Sequence, residues 1–123
     1  IGCAAALATI DVLTEPGFLD HVTARGEQLR AGLRELAGQH AVIADVRGPG
    51  LMVGLEFRNA DTAQPDAART AAVISHARTH GNLLVMNAGT WGNIIRFMPP
   101  LVVSQEEIDL ALTAIQAALE ATA

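Results

Sequence analysis

One arginine has the setting of a ligand-binding side chain. The apolar alternation around Arg96 predicts a strand over residues 94–98, in which Ile94, Arg96 and Met98 share one face. An arginine on a core strand needs an anion, because a guanidinium does not deprotonate and is costly to bury unpaired. Two anions fit: the side chain of Glu56 on a predicted hairpin, or a ligand carboxylate held by the planar guanidinium fork. We therefore treat Arg96 as the candidate binding residue.

The loop that precedes this strand is suited to close contact with another molecule. Residues 88–93 are small or polar and include Trp91, the only tryptophan of the chain. Loops of this kind often carry binding residues, although the same composition also suits an ordinary connection. The loop therefore favours a binding role for Arg96 without identifying the ligand.

The four histidines do not predict a metal or catalytic site. His76 and His80 have the spacing of a two-histidine metal site on a helix. No third ligand is near in sequence, and attraction to the C-terminal end of a helix explains the pair better. His21 and His40 have no partner in sequence and are expected at the surface.

Other polar clusters are explained by local structure. Glu106 and Glu107 lie where a helix begins, and the spacing of Ser104 and Glu107 predicts a capping box. Residues 48–50, Gly-Pro-Gly, join two predicted strands and do not open a helix, which a phosphate-binding loop would do. The chain therefore contains no predicted catalytic residue.

Composition limits the partners and the chemistry. The net charge of −5 disfavours nucleic acid, whose phosphates require a basic surface. Half of the 123 residues are apolar, which suggests that a second body covers part of the surface. The apolar run 1–10 has no positive flank and is too short to span a membrane, so we expect no membrane association and a cytoplasmic location. The chain contains one cysteine and no lysine, so any step that needs a lysine amine must take it from elsewhere.

Hydrophobic periodicity predicts four helices and four strands. The helices are expected at residues 2–14, 18–37, 67–80 and 104–119, and the strands at 42–46, 51–57, 83–86 and 94–98. Gly38 and Gly81 are expected to end helices, and the continuous apolar run Leu83–Met86 is expected to be a buried strand. This order predicts an α+β fold, a two-layer sandwich with a small antiparallel or mixed sheet and helices on one side.

The first two strands should form a hairpin around the turn at 48–50. Val42, Ala44 and Val46 would share one face of the first strand. In the second strand, Leu51, Val53, Leu55 and Phe57 would likewise share one face.

Three stretches resemble the class III aminotransferases, pyridoxal phosphate (PLP) enzymes of the aspartate aminotransferase fold. Residues 1–8 are similar to the helix after that family's Gly-Gly-Asn-Pro segment, and residues 45–54 are similar to its small-domain hairpin. Residues 89–101, Gly-Thr-Trp-Gly-Asn-Ile-Ile-Arg-Phe-Met-Pro-Pro-Leu, resemble its carboxylate-binding strand. Their Gly-Thr-aromatic-Gly-Asn form is more similar to 4-aminobutyrate than to acetylornithine aminotransferases.

The resemblance implies a division of labour within a longer enzyme. Residues 1–14 would be the end of an inter-domain helix, and residues 15–123 the C-terminal small domain. Arg96 would bind the α-carboxylate of glutamate or 2-oxoglutarate, while an upstream domain would supply the lysine and the PLP-binding residues. The complete homodimer would move an amino group from 4-aminobutyrate, or another ω-amino acid, to 2-oxoglutarate. This chain alone would be inactive and would not bind PLP covalently.

Three other interpretations stay open at this point. The chain could belong to an acetylornithine or ornithine type of class III aminotransferase. It could also be a non-catalytic amino-acid-binding module that uses Arg96 for the carboxylate. Finally, it could be a structural domain in which Arg96 pairs internally with Glu56.

Overall fold

The computed structural model describes all residues, 1–123. The predicted order of helices and strands is confirmed. The helices are α1 (Gly2–Leu13), α2 (Phe18–Gln39), α3 (Ala67–His80) and α4 (Gln105–Ala121), and the strands are β1 (Ile43–Arg47), β2 (Val53–Phe57), β3 (Met86–Ala88) and β4 (Ile94–Phe97).

The four strands form one antiparallel sheet in the order β1-β2-β4-β3. One face of the sheet carries the core, and α2 and α3 pack against it. Helix α4 packs against α2 and α3 and adds Ile108, Ile115 and Leu119 to the core. The largest fully buried side chains come from both layers: Phe57, Leu55, Ile95, Leu29, Leu33, Ile115 and Leu119. The predicted α+β two-layer sandwich is therefore confirmed, and its sheet is antiparallel.

The alternation predicted for the second strand is confirmed, but that of the first strand is interrupted. Leu51, Val53, Leu55 and Phe57 are all buried. In β1 the pairing register shifts between Ile43 and Asp45, a β-bulge. A bulge adds one residue to one strand, so the residues after it point to the opposite face from the one that strict alternation predicts. As a result Ile43 and Val46 are buried, and Ala44, which was expected beside Val46, is exposed.

The β1–β2 turn is fastened to α2 by a buried arginine. Arg30 is only 7% exposed, and its Nη1 donates to the carbonyl oxygens of Gly48 and Gly50 at 3.0 and 2.8 Å. Its Nη2 pairs with Glu27 one turn earlier. Gly26 lies against the same turn, where a Cβ would overlap the carbonyl oxygen of Gly50. The missing side chain of Gly26 and the guanidinium of Arg30 thus allow helix and turn to meet closely.

Of the two glycines that were expected to end helices, only one does so. Gly38 was expected to end α2, but the helix continues through it to Gln39, and the extended residue His40 follows. Gly81 does cap α3, although in a right-handed conformation. At the start of α4 the capping box between Ser104 and Glu107 is confirmed.

The prediction of a buried strand at Leu83–Met86 is wrong. The third strand begins at Met86 and has three residues, while Leu84 is 83% exposed and Met86 is 58% exposed. The apolar run lies at the edge of the sheet, where no element of this chain covers its outer side. Continuous apolar composition indicates burial only if both sides of a strand are covered.

Helix α1 stands away from the core. It contributes no buried residue, and Leu7, Ile10 and Val12 are exposed. No single helix has the length and apolar character needed to cross a membrane, and α1 and α2 meet that criterion only as a pair bent by 72°.

Candidate functional site

Arg96 lies in the middle of β4 on the face of the sheet that no helix covers. Its strand neighbours Ile95 and Phe97 point into the core, and Arg96 is half-buried on the opposite side. The predicted face of the strand is confirmed, but Arg96 is less buried than an arginine on a core strand was expected to be. We call the uncovered side the open face; directly beside Arg96 it carries Gly54 of β2 and Met86 of β3.

The guanidinium of Arg96 has no carboxylate partner in this chain. No ion pair includes it, and its only hydrogen bond runs from Nη2 to the Sδ of Met86, at 3.4 Å. Its Nε is shielded from solvent and has no acceptor. A thioether is a weak acceptor, so the fork keeps most of its donor capacity for an anion.

Glu56, the expected internal partner of Arg96, is engaged elsewhere. Its carboxylate binds Arg47 at 2.7 Å and Arg58 at 2.9 Å, and its side chain is only 13% exposed. In the strand register Glu56 lies opposite Ile94, two residue pairs along the ladder from Gly54 and Arg96, so it is a diagonal neighbour of Arg96 and not the residue opposite it. The interpretation in which Arg96 pairs internally with Glu56 is therefore wrong. Hydrogen bonding to Arg47 is the main reason that the pKa of Glu56 lies below its ordinary value.

Replacing Glu56 by glutamine should lower the free energy of unfolding at pH 7 by about 1 kcal/mol, because two charge-assisted hydrogen bonds are weakened. The folded-state pKa of Glu56 is below 4.5, so its contribution is fully present above the unfolded-state pKa. That contribution is lost as the pH falls through the folded-state value. Urea unfolding at pH 7 and at steps below pH 4.5 measures this, with Glu35→Gln on the exposed side of α2 as the control. A difference that did not shrink in acid would indicate altered packing instead of lost charge.

The loop between β3 and β4 is held by two asparagines. Asn93 is 3% exposed, and its Nδ2 donates to the carbonyl oxygen of Phe57 at 3.0 Å. Asn87 Nδ2 donates to the carbonyl oxygen of Gly92 at 2.9 Å. Trp91 is 70% exposed at the tip of this loop. Loop composition alone did not reveal the anchoring role of Asn93, because its acceptor is far away in sequence.

An apolar cleft lies beside Arg96. It has a volume of about 530 Å³, and 11 of its 15 lining residues are hydrophobic. Leu84 and Met86 line it from the sheet edge, and Val103 and Ile108 from the start of α4. Arg96 is the only cationic side chain in this lining.

The remaining polar residues fill structural roles. His76 and His80 are stacked with ring centres 4.4 Å apart, and no three ligand-type side chains gather into a metal-binding group. His21 is exposed as expected, but it does have a partner, the carbonyl oxygen of Val103 at 3.0 Å. The pKa of Glu106 is lowered, mainly by its own backbone amide at the helix start, which fits a helix N-terminus better than an acid–base pair.

Comparison with known proteins identifies the family. The family model described as aminotransferase class-III matches residues 1–119. The chain belongs to the class III aminotransferases. Its fold is accordingly the α+β small domain of these enzymes, as the antiparallel sheet and its helix layer indicate.

Individual aminotransferases are similar over nearly the whole chain. A 5-aminovalerate aminotransferase of Pseudomonas putida is 41% identical and an acetylornithine aminotransferase of Thermosynechococcus vestitus 45% identical, over 94% and 97% of this chain. The solved PLP-bound structure of an amine transaminase from an uncultivated Pseudomonas species is 32% identical with a TM-score of 0.85, and covers 98% of this chain. In each case the chain spans 27% of the relative's own length.

The residues of this aminotransferase chain do not fit covalent attachment of PLP. The chain contains no lysine, so it offers no side-chain amine to the cofactor aldehyde. What it does offer is an arginine whose donors are largely unused, on an uncovered face beside an apolar cleft. Such a group can bind and orient a carboxylate.

Proposed function

We propose that this chain is the C-terminal small domain of a PLP-dependent transaminase and that Arg96 binds the α-carboxylate of its substrate. The amino group would pass from 4-aminobutyrate, or another ω-amino acid, to 2-oxoglutarate. Residues 1–14 would belong to the inter-domain helix and residues 15–123 to the small domain. The observation that carries the proposal is the unpaired guanidinium of Arg96 on the open face.

The charges around Arg96 support an external anion. Glu56 on the open face is held by Arg47 and Arg58. The acidic residue in the lining of the cleft, Glu107, accepts the capping hydrogen bond from the backbone amide of Ser104. Arg96 is therefore a positive group without compensation in this chain, and a substrate carboxylate supplies the missing charge. A bidentate grip also fixes the orientation of the substrate, which is how a residue without a covalent role accelerates the reaction.

The rest of the chemistry would come from outside this chain. When bound, PLP supplies the electron sink for amino transfer, and the lysine that holds it would lie in an upstream domain. We propose that the complete enzyme is a cytoplasmic homodimer, with the upstream domain and the second subunit covering the apolar surface left exposed here. The isolated chain is expected to be inactive and to bind no PLP covalently.

The proposed donor class rests on two supports. A relative that is 41% identical is described as a 5-aminovalerate aminotransferase, whose substrate is an ω-amino acid. The Gly89-Thr90-Trp91-Gly92-Asn93 segment also resembles the 4-aminobutyrate type. An acetylornithine-type substrate is the alternative, because a relative of 45% identity carries that description. Class III membership argues against a non-catalytic amino-acid-binding module.

The proposal is tested on the complete enzyme with 2-oxoglutarate bound. A crystal structure should place the α-carboxylate oxygens about 2.7–2.9 Å from the guanidinium nitrogens of Arg96. A donor panel of 4-aminobutyrate, 5-aminovalerate and N-acetylornithine should show the highest kcat/KM for one of the first two. Arg96 paired with a protein carboxylate in the crystal would contradict the binding role, and exclusive use of N-acetylornithine would contradict the donor class.

A further inference from the structure

Four residues form a continuous row across the open face. The strand pairing places Arg47 opposite Gly54, Gly54 opposite Arg96, and Arg96 opposite Met86. Directly opposed residues of antiparallel strands point to the same face, with Cβ atoms about 5 Å apart. The guanidinium of Arg96 is therefore flanked by one position on β2 and one on β3.

The two flanks of Arg96 are unlike each other. On the β2 side Gly54 has no side chain, and even a Cβ there would contact Ile94 Cγ2, 3.4 Å away, before any part of Arg96. On the β3 side Met86 accepts the hydrogen bond from Arg96 Nη2 at 3.4 Å. The only hydrogen bond to the side chain of Arg96 thus comes from β3.

Apart from lining the apolar cleft, Met86 has no evident role other than its contact with Arg96. Its side chain is 58% exposed and is absent from the buried core, so it contributes little to the stability of this chain. A methionine side chain is flexible and polarizable, and its sulfur can follow a neighbouring cation without making a strong bond to it. Such support restricts the position of the guanidinium and leaves its other donors unused.

We propose that Met86 is a positioning residue for Arg96. The inference rests on the proposed function, because it takes Arg96 as the group that binds the substrate carboxylate. The thioether of Met86 holds the guanidinium towards β3, and the space above Gly54, where β2 presents no side chain, receives the carboxylate. Met86 acts on the affinity for the 2-oxo acid through Arg96 and touches no reacting atom.

The test compares three variants of the complete enzyme. Met86→Ala should raise the KM for 2-oxoglutarate roughly three- to tenfold, the effect of losing one modest hydrogen bond, with kcat changed less than about twofold. Met86→Gln keeps the side-chain length and offers an amide oxygen, so its KM should return close to the wild-type value. Met52→Ala is the matched control, because Met52 is 53% exposed, precedes β2 on the open face and does not bond Arg96.

Repeating the Met86 substitution in an enzyme that already lacks the Arg96 side chain shows whether Met86 acts through Arg96 or through its own packing. In an enzyme that already carries Arg96→Ala, the further change Met86→Ala should leave the KM for 2-oxoglutarate unchanged, because the group that Met86 holds is gone. An equal loss in both backgrounds, or a parallel rise in the KM of the amino donor, would overturn the positioning role.

The single variants distinguish this inference from the function on which it rests. If Arg96→Ala raises the KM for 2-oxoglutarate strongly while Met86→Ala behaves like Met52→Ala, the positioning role is overturned and the carboxylate role stands. If Arg96→Ala itself leaves the KM unchanged, the proposed function is overturned, and the positioning role falls with it.

Discussion

Replacing Arg96 by alanine in the complete enzyme should lower kcat/KM for 2-oxoglutarate about 100-fold. Removing one partner of a desolvated, hydrogen-bonded charge pair costs about 2–5 kcal/mol, and each 1.4 kcal/mol is tenfold. Arg96→Lys should recover only part of the loss, because an ammonium keeps the charge but not the planar fork that matches a carboxylate. Steady-state kinetics with 2-oxoglutarate as the varied substrate measures both effects.

The same substitution should hardly change stability. Arg96 makes no ion pair and bonds only Met86, so the free energy of unfolding should stay within about 0.5 kcal/mol of wild type. Arg34→Ala, which removes an exposed arginine of α2, controls for the loss of one positive charge and should affect neither quantity. A stability loss of several kcal/mol with kinetics intact would make Arg96 a structural residue.

Replacing Gly26 by alanine should destabilise the fold by about 3 kcal/mol, the upper part of the range for overpacking a well-packed site. The added Cβ would overlap the carbonyl oxygen of Gly50 in the β1–β2 turn. That obstacle is backbone, and Arg30 holds it against α2 through the carbonyl oxygens of Gly48 and Gly50. Neither helix nor turn can give way without loosening those bonds.

The same helix offers a matched control. Gly38 also lies inside α2, but a Cβ there would meet nothing within 4 Å. Gly38→Ala should therefore stabilise by roughly 0.5–1 kcal/mol, because alanine loses less backbone entropy than glycine in a helix. Urea unfolding of the 123-residue chain compares the two variants. If both changes stabilised to the same extent, the close contact between α2 and the turn would be refuted.

The layered fold was predictable because it depends on patterns that are local in sequence. The alternation from Leu51 to Phe57 and the capping box at Ser104 each report on residues within a few positions of each other. The bulge in β1 was not predictable, since it arises where two strands must pair across a turn. The edge position of β3 was missed for a related reason, because an apolar run does not show which side will be covered.

At the candidate site, the sequence predicted the position of Arg96 on its strand but not the residues around it. Arg96 is on the strand and the face expected from periodicity, next to Ile94. The pairing of carboxylates with arginines depends on how the strands are aligned. In the folded sheet Glu56 pairs with Arg47 and Arg58. Arg30 was missed as well, because its acceptors are backbone carbonyls that carry no sequence signature.

The isolation of α1 has a consequence for the thermodynamics of assembly. A helix without a buried residue gains little from packing to offset the cost of its nucleation. In the proposed complete enzyme, its order would then depend on the surface that covers Leu7, Ile10 and Val12. Docking of this domain onto that surface would therefore be coupled to the folding of α1. Its affinity is reduced by the conformational entropy that the helix loses on ordering, and its heat-capacity change includes the apolar area that α1 buries.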